Sequence, residues 1–194
     1  MGIWLNVWYF KLIAIWATLF KMPAVAIDYW ERIRALKPRD PDVLAALAHL
    51  KAIHGARGEA IALLHQILET APDQAASWFN LGFLQQEDDR HEDAIASFRR
   101  AIALDGKLDR AWYGLALSQI KMGQVEEGVA ALKKNTELQP MSPYGWYQLA
   151  HAYCRLGQTE RAETVIRRLA KFEPQVARLL ERETGIKAGV ESPH

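Results

Sequence analysis

WFNLGFLQQEDDRHEDAIASFRRAIAL, residues 78–104, is the stretch from which the rest of the chain is read, because its spacing returns 34 residues away on either side. Frames opened at Val7, Pro41, Ala75, Asp109 and Pro143 bring like residues into register. The fourth place reads Phe10, Leu44, Trp78, Trp112 and Trp146. The seventh and eighth read Ile13-Ala14, Leu47-Ala48, Leu81-Gly82, Leu115-Ala116 and Leu149-Ala150, a large residue beside a small one, which suits two helices crossing closely. The twentieth place holds Ala26, Ala60, Ala94, Gly128 and Ala162, and the twenty-fourth holds Trp30, Leu64, Phe98, Leu132 and Ile166. Pro38, Pro72, Gly106, Pro140 and Pro174 stand at the thirty-second place, so a helix breaker closes every unit.

These places resemble the tetratricopeptide repeat, a helix-turn-helix unit of 34 residues. The resemblance covers residues 41–176 as four repeats, 41–74, 75–108, 109–142 and 143–176, with 7–40 as a degenerate fifth. It implies an all-α fold, a right-handed superhelical solenoid of antiparallel helix pairs. At the ends, 1–22 is expected to form a hydrophobic helix, either an anchor or the first helix of the degenerate repeat. Residues 23–40 supply the second helix of that repeat, and 177–194 a capping helix and flexible tail. Gly55, Gly123 and Gly157 stand where a helix needs a left-handed terminator. Asn135 departs from the pattern, being polar at the twenty-seventh place where other units have Ile33, Ile67, Ala101 and Leu169, so looser packing is expected after Leu132.

Lys plus Arg is 24 against Asp plus Glu 23, and so no charge excess exists to draw the chain to a polyanion; nucleic acid is not an expected partner. The single cysteine, Cys154, has no internal disulfide partner and is read as a small buried or half-buried thiol.

Residues 3–20, IWLNVWYFKLIAIWATLF, carry one charge, Lys11, and six aromatics, Trp4, Trp8, Tyr9, Phe10, Trp16 and Phe20. As a helix these residues run roughly 27 Å, just short of a ~30 Å hydrocarbon core. Phe10, Ile13, Ala14 and Ala17 can pack on the following helix, which leaves Trp4, Trp8, Ile15, Trp16 and Leu19 to meet lipid, a partner helix or a second copy of the chain. Lys11 then has to pair with a partner or reach the interface. A cleaved signal peptide is not expected, since Met1-Gly2 supplies no basic leader. If the segment spans, the basic residues after it place the repeats in the cytoplasm, at the inner membrane.

No catalytic, metal-binding or cofactor-binding motif is found, and none of those roles is assigned; CxxC, HExxH, GxGxxG and phosphate-binding loops are absent from the sequence. The family resemblance implies that first helices line a concave groove. Its places here include Phe79 and Phe83, then Arg110, Tyr113, Leu117 and Lys121, then Tyr144, Tyr147, His151 and Arg155. That groove is aromatic and apolar, edged with cations, and suits a partner's peptide or helix. Phe79 and Phe83 occupy places where chaperone-tail clamps carry polar groups, and only Asn80 matches such a clamp. On the opposite face Arg99-Arg100, Lys133-Lys134 and Arg167-Arg168 form a basic row, read as solubility or as contact with anionic headgroups. The sequence thus points to a non-enzymatic interaction scaffold tethered to a membrane or membrane protein complex. The rival is a soluble dimeric chaperone that shields hydrophobic segments and dimerises through residues 3–20.

Overall fold

The computed structural model describes residues 2–190. Among them are eleven helices and no strand: α1 (Gly2–Leu19), α2 (Pro23–Leu36), α3 (Pro41–Ile53), α4 (Arg57–Thr70), α5 (Ala75–Glu87), α6 (His91–Leu104), α7 (Asp109–Lys121), α8 (Val125–Leu138), α9 (Pro143–Arg155), α10 (Thr159–Ala170) and α11 (Pro174–Thr184). The chain is all-α, as the 34-residue period implies. It divides into two compact units between Asp88 and Asp89, within the 75–108 frame and after α5.

In the first unit α1 packs on α2, α2 on α3, α3 on α4 and α4 on α5. The small residues of the eighth and twentieth places, Ala14, Ala26, Ala48 and Ala60, are buried, and the large Leu47, Leu64 and Ile67 fill the space beside them. Burying each such side chain is worth about 1.5–3 kcal/mol, so this repeated strip is what holds neighbouring helices together. Lys51 adds a polar tie. Its Nζ lies 3.1 Å from Glu31 Oε1 on α2 and 2.6 Å from Glu59 Oε2 on α4. Hydrogen bonding to Glu59 raises the Lys51 pKa, and Lys51 in turn lowers that of Glu59.

In the second unit α6 packs on α7, α7 on α8, α8 on α9, α9 on α10, and α11 on both α9 and α10. Phe98 is fully buried, and a Cβ at Gly114 would overlap its ring, which is why that place accepts only glycine. Asn135 does not loosen the packing as expected. It is buried, donates through Nδ2 to the Asp109 carbonyl at 3.0 Å, and sits where a side chain at Gly145 would have to go. A buried amide with a made hydrogen bond costs far less than an orphaned one, and this bond ties α8 to the start of α7.

Every unit turns through a left-handed residue at the fifteenth place. The φ values are 56° at Lys21, 84° at Gly55, 57° at Asp89, 82° at Gly123 and 68° at Gly157. The recurrence reaches the degenerate 7–40 frame, where α1 meets α2 through Phe10 edge-on to Tyr29 at 5.7 Å. The possibility that 3–20 spans a membrane is not met, since among the described residues no helix is long and apolar enough to cross one. α1 is 18 residues long, carries Asn6, Lys11 and Thr18, and commits Ala14 and Ala17 to burial within the protein.

Candidate functional site

Two surfaces stand out, one in each unit. The face of α1 turned away from α2 is apolar and exposed: Trp4 is 78% and Leu19 71% exposed, with Trp8, Ile15 and Trp16 also open. Trp16 and Phe20 stack at 5.4 Å, and Lys37 Nζ sits 4.9 Å from the Trp4 ring centre, so part of this face is ordered by the protein itself. Lys11 is exposed beside it. At the other end of the same unit, Phe79 and Phe83 on α5 stack at 6.5 Å, with Phe83 exposed and Phe79 half-buried.

The second unit carries the other first-helix residues on α7 and α9, with α11 beyond them. Tyr113, Leu117, Tyr147 and His151 are half-buried, whereas Arg110, Lys121, Tyr144 and Arg155 are exposed. Burial raises the Tyr113 pKa, opposed by a hydrogen bond with Gln148. Tyr147 and His151 meet edge to face at 4.7 Å, one helical turn apart on α9. Both reach one oxygen of Glu183 on α11: the Tyr147 hydroxyl donates to Oε2 at 2.7 Å, and His151 Nε2 lies 3.0 Å from it. The carboxylate holds the tyrosine proton, raising the Tyr147 pKa, and the hydroxyl that donates to Glu183 holds its pKa below the usual carboxylate range.

Arg155, exposed at the end of α9, donates through Nη1 to the Ile120 carbonyl at the end of α7 at 3.5 Å. Cys154 is half-buried, and desolvation raises its pKa, which disfavours the reactive thiolate. Glu183 and Gln148 are the members that sequence reasoning missed. Glu183 falls outside the repeat register, and its only signal is an acidic residue on a capping helix that has to lie against α9.

Three family profiles described as tetratricopeptide repeat match residues 45–109, 84–147 and 146–182, together running from 45 to 182. No curated protein matches the sequence. Among solved structures, a "Crystal structure of MamA protein" is 21% identical with a TM-score of 0.79 and covers 97% of each chain. "MamA 41-end from Desulfovibrio magneticus RS-1" is 19% identical with a TM-score of 0.79, over 92% of this chain and 96% of that one. YrrB, described as a TPR protein with an unusual peptide-binding site, is 14% identical with a TM-score of 0.75, over 87% of this chain and 88% of that one. At such identities the likeness is one of fold.

Proposed function

The chain belongs to the tetratricopeptide-repeat family, and from that premise we propose that it is a non-enzymatic scaffold for protein–protein interaction. In this reading the α7–α9–α11 face of the second unit receives a peptide or helix of a partner. Tyr113, Leu117 and Tyr144 offer apolar contact there, Arg110 and Lys121 supply cationic edges, and Glu183 gives the site an acidic end. Phe79 and Phe83 offer a separate aromatic patch in the first unit.

We further propose that α1 attaches the scaffold to a membrane surface or a membrane protein complex. One observation carries this part: Trp4, Trp8, Ile15, Trp16 and Leu19 lie together on the uncovered side of α1. Each apolar side chain of this size gains about 1.5–3 kcal/mol on leaving water, which is a substantial drive toward a cover. Lys11 on the exposed side favours a cover with acidic groups, as in a protein complex or an anionic headgroup layer, over bare hydrocarbon.

The test uses the full-length chain with Trp4, Trp8 and Leu19 all changed to Gln, a substitution that leaves Ala14 and Ala17 on α2. The parent is expected to sediment with membranes in high salt and the triple variant to stay in the supernatant, with equal helicity by circular dichroism. A parent that purifies without detergent as a monodisperse monomer sinks the attachment. A parent that is a soluble dimer, dissociated by the triple change, assigns the same face to the dimeric chaperone reading. The α7 face is tested apart from this: Tyr113→Ala with Leu117→Ala should abolish partner binding while membrane sedimentation is unchanged.

A further inference from the structure

The second unit has a cleft on the side of its second helices, away from the α7–α9–α11 face. α8 and α10 both pack on α9, and between them a cleft of about 480 Å³ opens over Trp146, Leu149 and Tyr153. Its walls bring three cations together, Lys133 from α8 and Arg161 and Arg168 from α10. Arg168 Cζ lies 4.5 Å from the Trp146 ring centre and Arg161 Cζ 5.8 Å from that of Tyr153. A guanidinium laid on a ring keeps its N–H edge available for a planar oxyanion.

The neighbouring charges do not neutralise these three. Lys134 is paired with Glu137 at 2.7 Å and Arg167 with Glu163. Among the described residues, Lys133, Arg161 and Arg168 have no carboxylate partner, and Arg161 Nη1 donates only to the neutral Gln158 amide at 2.9 Å. The basic row of the sequence is therefore part neutralised, and two of its members, Lys133 and Arg168, line this cleft.

Arg161 also runs against the rest of the array. The nineteenth place is acidic in the three preceding units, Glu59, Asp93 and Glu127, and basic only here. That place lies in the first turn of α10, where the helix dipole favours an acid and disfavours a cation. The helix dipole does not account for an arginine there, whereas its contacts with Gln158 and Tyr153 hold it in place and an anionic ligand would use its charge.

We infer that the α8–α10 cleft is a second docking site, and that it takes an acidic segment of a partner protein, with Asp or Glu carboxylates seated between Lys133, Arg161 and Arg168. The volume suits several residues and not a lone ion. This site is independent of the α7–α9–α11 face.

The experiment is fluorescence anisotropy on the full chain at low salt, with a fluorescein-labelled peptide of alternating Glu and Gly and a Gln–Gly peptide as control. The Glu peptide is expected to bind and the control not to. Arg161→Glu restores the charge that the other units carry at that place, so it should fold as the parent does, and it is expected to weaken binding about tenfold or more. Arg168→Glu should act in the same direction, while Arg99→Glu, outside the cleft, should change binding less than about twofold. Loss as large with Arg99→Glu as with Arg161→Glu, or no binding of the Glu peptide by the parent, overturns the site. Arg161-dependent binding to phosphatidylserine vesicles with none to the peptide overturns it in favour of a lipid headgroup.

Discussion

The indole Nε1 of Trp112 donates to the carbonyl of Gly106, six residues earlier, at 2.9 Å. Trp78 makes the same bond to Pro72 at 2.8 Å and Trp146 to Pro140 at 3.0 Å. The three tryptophans thus latch the turn that precedes their own helix, and Trp78 and Trp112 are half-buried. The register suggests a filled-core role, but among the described residues the largest fully buried side chain is that of Phe98. Phe98→Ala should therefore cost about 3–5 kcal/mol and Trp112→Ala less. Trp112→Phe, which keeps a ring and deletes the donor, should cost about 0.5–1.5 kcal/mol. Urea midpoints rank the three, and a Trp112→Ala loss equal to that of Phe98→Ala contradicts the latch.

Lys21 and Asp89 hold the left-handed conformation that Gly55, Gly123 and Gly157 hold in the other frames. Left-handed strain of about 1–2 kcal/mol for a residue with a Cβ outweighs the about 0.4–1 kcal/mol by which a glycine's freedom favours the unfolded chain. Lys21→Gly and Asp89→Gly should each stabilise by about 0.5–1 kcal/mol, more at Lys21, since aspartate tolerates this region better. Chemical denaturation of the single variants checks both, and a destabilised Lys21→Gly would be evidence against this backbone.

The Glu183 contact gives a pH signature with two ends. The folded pKa of Glu183 lies below its unfolded value, so its contribution is present above the ordinary carboxylate range and fades as pH falls through the depressed value. Tyr147 is raised, so its contribution is full below its unfolded pKa and is lost as pH rises through the folded one. Amide exchange in α11, taken relative to the intrinsic rate at each pH, should accelerate at both extremes in the parent. In Glu183→Gln the acid-side acceleration should vanish, and its persistence there would mean that another group controls the docking of α11.

The helices and their order are legible in the sequence because each unit repeats the same small and large places, and five repetitions average out local ambiguity. Ala14 and Ala26 could be placed in the core even though the 7–40 frame keeps few of the usual residues. The work of the tryptophans was not legible, since their acceptors are backbone carbonyls that carry no side-chain signal. Neither was Glu183, because α11 lies outside the period and only three-dimensional packing brings it to Tyr147. Arg161 is an intermediate case: the change of sign at the nineteenth place can be read from the sequence, but the rings of Trp146 and Tyr153 that give it meaning cannot.

Asn135 and Gly145 lock the order of the repeats. A Cβ at position 145 would overlap the Asn135 side chain, yet the same place holds Tyr9, Val43, Ser77 and Ala111 in the other units. None of those units could be transplanted behind 109–142 without displacing the amide that reaches Asp109. The array looks like interchangeable bricks, but this joint is keyed, and recombination or design that shuffles units has to move residues 135 and 145 together.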